Sequence, residues 1–555
     1  MKGATRQPRG GRDQVQNALE RRAWTEEFMR LVTADRERPL DAAGLERLGA
    51  AAYLIGRDDD STEALTRAHH AYHEAGDAEA AARCAFWVGF RLLVQGEQSR
   101  GSGWLARAHR ILEDAQLADS VVHGYLLVPP AIGRLINGDP APALEAFDRA
   151  VAIAKRTGDR DLLALARHGQ GRGLIKMGRV AEGLVLLDEV MIAVTGGDAS
   201  PVIVGDLYCS VIDACNEVFD LRRAREWTEA LSEWCATQPE LVPGRGECAI
   251  HHVEIAQLRG DWPDALAEIT RACEWFGERT GEPAAGAGFY RLAELRRLRG
   301  EFAEAEVCYQ RAHELGRDPQ PGMALLRLSQ RRTETAAAAI RGAMDQTRRE
   351  PRRSQMLAAG AEIMLEVGDV AAARAAAEEL SRNASAVGAR LLCAASAQAT
   401  GAVLLAEGQP AAALSALRDA CAVWRELEAP YEAARVRVCM AAALRALNDT
   451  DTANMELAAA REIFRRLGAA PDLQRVESLM SAGASRTASD LTDREVQVLR
   501  QIATGKTNRA VAASLGISEK TVARHVSNLF LKLGLSTRAA ATAYAFKHNL
   551  IPPST

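Results

Sequence analysis

The sequence predicts an all-α protein, a long array of paired helices followed by a small unit of four helices. Three observations carry that reading. Alanine is abundant and aromatic residues make up only 5% of 555 positions, a composition that favours helix over strand. Turn residues recur at about forty-residue intervals through most of the chain, which marks a repeat architecture. The last sixty-five residues depart from that period and hold helices bracketed by strong capping residues. A chain of this length exceeds one hydrophobic core, so an array or several domains is expected.

Taken in order, residues 1–20 are rich in Arg, Gly and Gln and predict a disordered tail. The opening MKGATRQPRGGRDQ is basic with no apolar segment after it, so no signal peptide is expected. Ordered helix is expected from about Trp24, and residues 21–480 read as a solenoid. Its unit is a turn residue, a small residue at +5, a bulkier apolar one at about +9 and a small or apolar one at +12. Gly138, Ala143, Phe147 and Ala150 fit, as do Gly260, Ala265, Ile269 and Ala272, and Gly300, Ala305, Tyr309 and Ala312. Gly408, Ala413, Leu417 and Ala420 repeat it, and Asn448 leads Ala453, Leu457 and Ala460. Turns at 56, 96, 138, 178, 219, 260 and 300, then at 368, 408 and 448, keep the period. The pattern resembles the second helix of the tetratricopeptide repeat, although its period is longer than that repeat's roughly 34 residues.

The register slips between 300 and 368. Gly316 to Gly322 and the basic run Arg348 to Arg353 read as loops by their Pro, Gly and charge content. The region 313–355 is then a joint between two solenoid segments, a partner-binding insertion or an irregular packed repeat. Residues 481–490, largely SAGASRTAS, read as a flexible linker. The longest uncharged run, Leu391 to Ala406, spans sixteen residues. That is short of the roughly twenty needed to cross a bilayer, so it reads as a buried repeat helix.

Residues 491–555 form the last unit. Thr492 and Glu495 have capping-box spacing before a helix carrying Val496, Leu499, Ile502 and Ala503. Thr507 caps a short second helix that buries Val511, Ala512 and Leu515, and Gly516-Ile517 makes a tight turn. Ser518 then caps SEKTVARHVSNLFLKL, which Gly534 terminates. At about 100° per residue, Val522, Val526, Leu529 and Leu533 share a stripe to be buried, with Lys520, Arg524 and Ser527 nearly opposite. Thr521, His525, Asn528 and Lys532 form a flanking row of donors. A short helix, a glycine turn and a longer basic-faced helix is the helix-turn-helix plan, whose second member suits a DNA major groove.

The segment from Leu491 to Ala541 is similar to the LuxR-type (GerE- or FixJ-type) DNA-binding domain, over four helices in order. That resemblance implies that the third helix is the recognition helix. It implies base-edge contacts from Lys520, Arg524 and Ser527, and phosphate contacts from Thr507, Thr521, His525, Asn528 and Lys532. A fourth helix, about Arg538 to His548, would pair two domains as a homodimer on a two-fold site. Ala523 departs from the family, where a lysine often follows the Thr-Val pair. Ala510 departs where an acidic residue often precedes the second-helix Ile/Val-Ala. The first departure transfers base reading to Arg524, whose guanidinium can bond guanine O6 and N7.

Charge agrees with that division. Residues 490–555 hold nine Lys/Arg and four Asp/Glu, a net of +5 in a chain of −4, so the first 489 residues carry −9. A basic module on an acidic body fits a nucleic-acid domain joined to something of another kind. Other chemistry finds little support. Gly505-Lys506-Thr507 ends like a phosphate-binding loop, but Arg500 stands where its first glycine must be, and no other stretch fits. Neither an ATPase nor a phosphorylated receiver domain is visible.

His69, His70 and His73, and Cys248, His251 and His252, lack further metal ligands at suitable spacing, so no metal site or cofactor is expected. Gly244-Arg245-Gly246-Glu247 and GEPAAGAG, Gly281 to Gly288, read as loops. Ten scattered cysteines without a C-x-x-C pair fit reduced thiols in the cytoplasm. Trp87, Trp104, Tyr208, Trp227, Trp234, Trp262 and Tyr290 are available to a concave ligand-binding wall or serve as wedges between repeats.

The expected function is that of a cytoplasmic bacterial transcription regulator, not an enzyme. It would bind double-stranded promoter DNA as a dimer and meet RNA polymerase there, with a protein or small-molecule ligand on its repeats and no membrane association. The alternative is a helical-repeat scaffold or adaptor whose terminal helices contact protein.

Overall fold

A computed structural model of the chain describes residues 24–238, 245–277, 284–347, 352–489, 491–548 and 550. These form 28 α-helices, from Trp24–Glu37 to Arg538–Lys547, with no strand among the described residues. The expected tail at 1–20 lies outside them. The chain divides into two compact units, residues 1–436 and 437–555. No helix among the described residues is long and apolar enough to cross a membrane.

The repeat read from the sequence is physical. Gly56, Gly96, Gly138, Gly178, Phe219, Gly260, Gly300, Gly368, Gly408 and Asn448 all adopt positive φ, between 59° and 89°. A second set, among them Gly76, Gly158 and Gly388, falls midway between these, and Gly468 follows Asn448 by the same half-period. Such residues end helices in the left-handed conformation and let the chain reverse. The Gly56 amide donates to the Tyr53 carbonyl at 2.9 Å and the Arg57 amide to Ala52 at 2.8 Å. Many helices start on an aspartate one residue after the turn, as where Asp77, Asp220, Asp369 and Asp449 accept from the amide three positions on.

The +5, +9 and +12 positions are the buried stripe. Ala143, Phe147, Ala150, Ala305, Tyr309, Ala312, Ala413, Leu417 and Ala420 are all fully buried. The +5 residue is small because two antiparallel helices cross there. A Cβ added to Gly183 would lie 2.6 Å from the Gly171 carbonyl oxygen. Ala272 is the exception, half-buried, with Cys273 beside it taking the core position.

The slip between 300 and 368 proves to be a shortened repeat. Gly322–Ser329 has only eight residues, against seventeen in Arg390–Ala406. It turns at Arg331, at φ 63°, into Thr333–Gln346. Ala336, Ile340 and Ala343, at +5, +9 and +12 from Arg331, are buried. The turn was hidden because arginine occupies a left-handed position usually given to glycine. Arg352 begins the helix Arg352–Glu366, and residues 348–351 of the predicted basic loop lie outside the described residues.

Three loop expectations are corrected. Arg245–Arg259 and Ala285–Arg299 are helices that include most of the described part of both glycine-rich stretches, Gly244 and Gly281 to Pro283 lying outside it. Their glycines make room for one ring: a Cβ on Gly246 or Gly288 would come within 2.6 or 2.5 Å of Phe276. The helix Ala470–Ser489 runs through 481–489, where composition predicted a flexible linker. No proline interrupts it, and the Ser481 hydroxyl donates to the Glu477 carbonyl one turn back at 2.9 Å.

Within the first unit, helices far apart in sequence meet again. Ala42–Leu54 packs on Pro201–Glu217, Arg225 pairs with Glu428 at 2.7 Å, and the Trp262 ring lies 5.2 Å from Tyr431. Tyr208, Trp262 and Tyr290 are buried, while Trp87, Trp104, Trp227 and Trp234 pack half-buried against the cores. All seven thus pack into or against the helical cores. His69 is likewise structural: its Nδ1 sits 2.8 Å from the Ala81 carbonyl and its Nε2 accepts from Arg107 Nε at 2.8 Å.

Candidate nucleic-acid interface

Four helices after residue 490 share one apolar core. Val498, Leu499, Ile502, Val511, Val522, Leu529, Ala541 and Ala545 are buried in it, and Val526, Leu533, Leu515 and Phe530 pack at its edge. The first helix, Asp493–Ala503, opens with the expected capping box. The Glu495 amide donates to Thr492 Oγ1 at 3.3 Å, and the Thr492 amide returns to Glu495 Oε2 at 2.8 Å. Arg494 reaches the Leu515 carbonyl at 2.6 Å and closes the end of the second helix, Asn508–Leu515. From the fourth helix, Arg538–Lys547, Arg538 clamps the start of the second through Asn508 Oδ1 and the Lys506 carbonyl, both at 2.6 Å.

Gly516, at φ 65°, turns the chain into the third helix, Glu519–Leu533. Ser518 caps it, accepting from the Thr521 amide at 3.1 Å, and Gly534 ends it at φ 63°. Val522 and Leu529 are fully buried. Lys520, Arg524 and Ser527 are exposed, and among the described residues none of the three has a side-chain hydrogen bond or ion pair. They span about 10 Å along the outward face at 1.5 Å per residue. The face that the sequence assigned to DNA is open.

The flanking row is less uniform. Asn528 is exposed, while Thr521 and His525 are half-buried. The Thr521 hydroxyl shares a 2.7 Å hydrogen bond with Ser518 Oγ. Thr507, exposed at the start of the second helix, accepts from the Ala510 amide at 3.3 Å, which leaves its own hydroxyl hydrogen to donate. Lys532 is committed internally, its ammonium 2.8 Å from Glu495 Oε2. Sequence spacing missed that pair because it joins residues 37 apart. Lys506 and Arg509 also stand exposed at the start of the second helix and add to the basic face. Ala510 and Ala523, the two departures noted above, are both exposed and leave space there.

Glu495 is only 3% exposed. Burial alone would raise its pKa, but the Lys532 ammonium and the Thr492 donors outweigh it and hold the carboxyl below its usual range. A carboxyl held low in the folded state contributes stability above its unfolded pKa and loses it as pH falls through the folded value. Melting temperature is therefore expected to drop below about pH 4, with a shallower pH dependence in Glu495→Gln. Lys532→Met is expected to cost about 1–2 kcal/mol by leaving a buried carboxylate without its cation. In a Glu495→Gln background the same change should cost less, and additive losses in denaturant unfolding would contradict the pairing.

Residues 489–545 match the family model described as bacterial regulatory proteins, luxR family. Over 59 residues the chain is 56% identical to the nitrate/nitrite response regulator protein homolog of Haemophilus influenzae. Over 60 residues it is 55% identical to the uncharacterized transcriptional regulatory protein YhcZ of Bacillus subtilis. It is 48% identical over 61 residues to the response regulator protein VraR of Staphylococcus aureus. These alignments cover 11% of this chain and 28–29% of each relative, so the chain spans under a third of the length of the curated relatives it matches. Among solved structures, a chain of the APC/C hetero-tetramer Cut9-Hcn1 aligns over 83% of this chain and 94% of its own, at TM-score 0.36 and 11% identity. After an all-helical repeat body, the chain therefore carries a C-terminal LuxR-type helix-turn-helix domain.

Proposed function

We propose that the protein is a cytoplasmic transcriptional regulator that binds double-stranded promoter DNA through the helix Glu519–Leu533. The supporting observation is the unpartnered outward row of Lys520, Arg524 and Ser527 on a helix whose opposite side is locked into the core. In this reading these three meet base edges, while Thr507, Thr521, His525, Asn528 and Lys532 meet phosphates and set the register. Lys532 stands in this row while it also holds Glu495.

Ala539, Ala543 and Phe546 follow one another on the exposed side of Arg538–Lys547, with Phe546 61% exposed. That apolar row supports a homodimer on two half-sites roughly one turn of DNA, about 34–36 Å, apart. The repeat body would sense a ligand or dock a protein, and RNA polymerase is the partner that a promoter-bound regulator meets. No enzymatic activity is part of this reading.

The test is selection by the full-length chain from a pool of random duplexes. An enriched motif with two-fold symmetry is expected, together with affinity that falls steeply as salt rises. Failure to enrich any motif, with partner capture from extract insensitive to nuclease, would favour the adaptor reading instead.

A further inference from the structure

The seven aromatics that the sequence offered for a ligand wall pack into or against the helical cores, and the first unit holds a cavity lined by none of them. It has a volume of about 690 Å³ and is lined by residues of Val122–Asn137, Arg160–Lys176 and Pro201–Glu217, with Val387 reaching it from the end of Val370–Val387. Such a volume falls in the range of about 300–1,000 Å³ typical of small-molecule sites. Its walls are apolar, and three large apolar side chains stand open in them: Ile132 36% exposed, Ile136 71% and Val387 40%. Exposed side chains of this kind on one concave surface need an account, since isolated ones would not.

One side of the cavity is charged. Glu217 spends both carboxylate oxygens on cations, Oε1 on Arg172 at 2.9 Å and Oε2 on Lys176 at 3.0 Å. Arg172 also donates to the Ser210 carbonyl at 2.8 Å. His168, whose Nε2 lies 2.8 Å from Ser210 Oγ, adds no charge: burial, with Arg172 beside it, pushes its pKa down to about 3. Asp213, one turn before Glu217, is not part of the lining and lies 3.9 Å from His251. The lining therefore holds two cations to one anion. Lys176 is 36% exposed and has donors to spare.

A neighbouring cavity of about 630 Å³ shares Val180, Val218, Phe219 and Val387 with this one. Its arginines are matched by acids, as in Arg225 with Glu229 at 3.1 Å and Arg259 with Glu428 at 3.7 Å. The excess cation is a property of the first cavity.

We infer that this cavity is a binding site for a small amphipathic organic anion, its carboxylate on Lys176 and Arg172 and its apolar body against Ile132, Ile136 and Val387. The inference deepens the sensing role proposed above and rests on that reading only for its biological consequence. The occupant is a small molecule because the apolar wall and the surplus cation suit the two ends of an acyl carboxylate, for which decanoate serves as the probe.

The test is isothermal titration of the full-length chain with decanoate, below its micellar range, and with 1-decanol. Saturable binding at one site is expected, with decanoate roughly tenfold tighter than decanol because of its charge-assisted contacts. Lys176→Met should weaken decanoate by about that factor and leave decanol unchanged. Ile132→Gln with Ile136→Gln, both on exposed positions, should weaken both probes at unchanged helical content. Absence of saturable binding, equal affinity for the two probes, or no response to Lys176→Met would overturn the inference. No DNA is present in the assay, so that failure would leave the promoter-binding reading standing.

Discussion

Replacing Trp262 with alanine is expected to remove about 3–5 kcal/mol from the first unit, the range for deleting a large buried aromatic. The ring is fully buried at the start of Trp262–Gly277. Its Nε1 donates to the Gln257 carbonyl at 2.8 Å, and its ring packs at a tilt on Tyr431, more than 160 residues later in the chain. Alanine would open a cavity, strip the Gln257 carbonyl of a donor and loosen a contact by which the array meets itself again. Trp262→Phe keeps most of the buried area and should cost less than half as much. Calorimetric melting of the full chain checks both. A melt of Trp262→Ala that matches the parent would contradict its role as a wedge.

Replacing Arg524 with alanine is expected to cost about 1–3 kcal/mol at the selected DNA site, the worth of one good bidentate base contact. The residue sits at the middle of the outward row, exposed and unpartnered, so its removal leaves the domain core intact. Affinity for random duplex should fall far less, since phosphate attraction is spread over the whole basic face. Specificity narrows by the difference. Equal losses on specific and random DNA would mean that Arg524 contacts only the backbone.

The C-terminal domain was almost wholly legible because its determinants are local. Thr492, Thr507, Ser518, Gly516 and Gly534 each act within four residues, and the structure finds each as a cap or turn. The repeat was legible where glycine or asparagine marked the turn, and at Phe219 where the unbroken period supplied it; it failed at Arg331, where the period slips and nothing in the side chain announces positive φ. Glycines at 246 and 288 misled because sequence cannot separate a glycine needed for a turn from one that makes room for Phe276.

What depends on pairing across distance stayed hidden. The Lys532–Glu495 bridge and the Arg538 clamp join residues thirty or more apart. The cavity walled by Ile136, Lys176 and Val387 exists only because the array brings helices far apart in sequence together.

Methylation interference on the selected duplex tests most directly whether the helix Glu519–Leu533 reads bases in the major groove. Methyl groups at N7 of one or two guanines per half-site should block the parent chain, and Arg524→Ala should lose that sensitivity while still binding. Binding indifferent to every guanine N7, or a methylation pattern unchanged by Arg524→Ala, would contradict the reading.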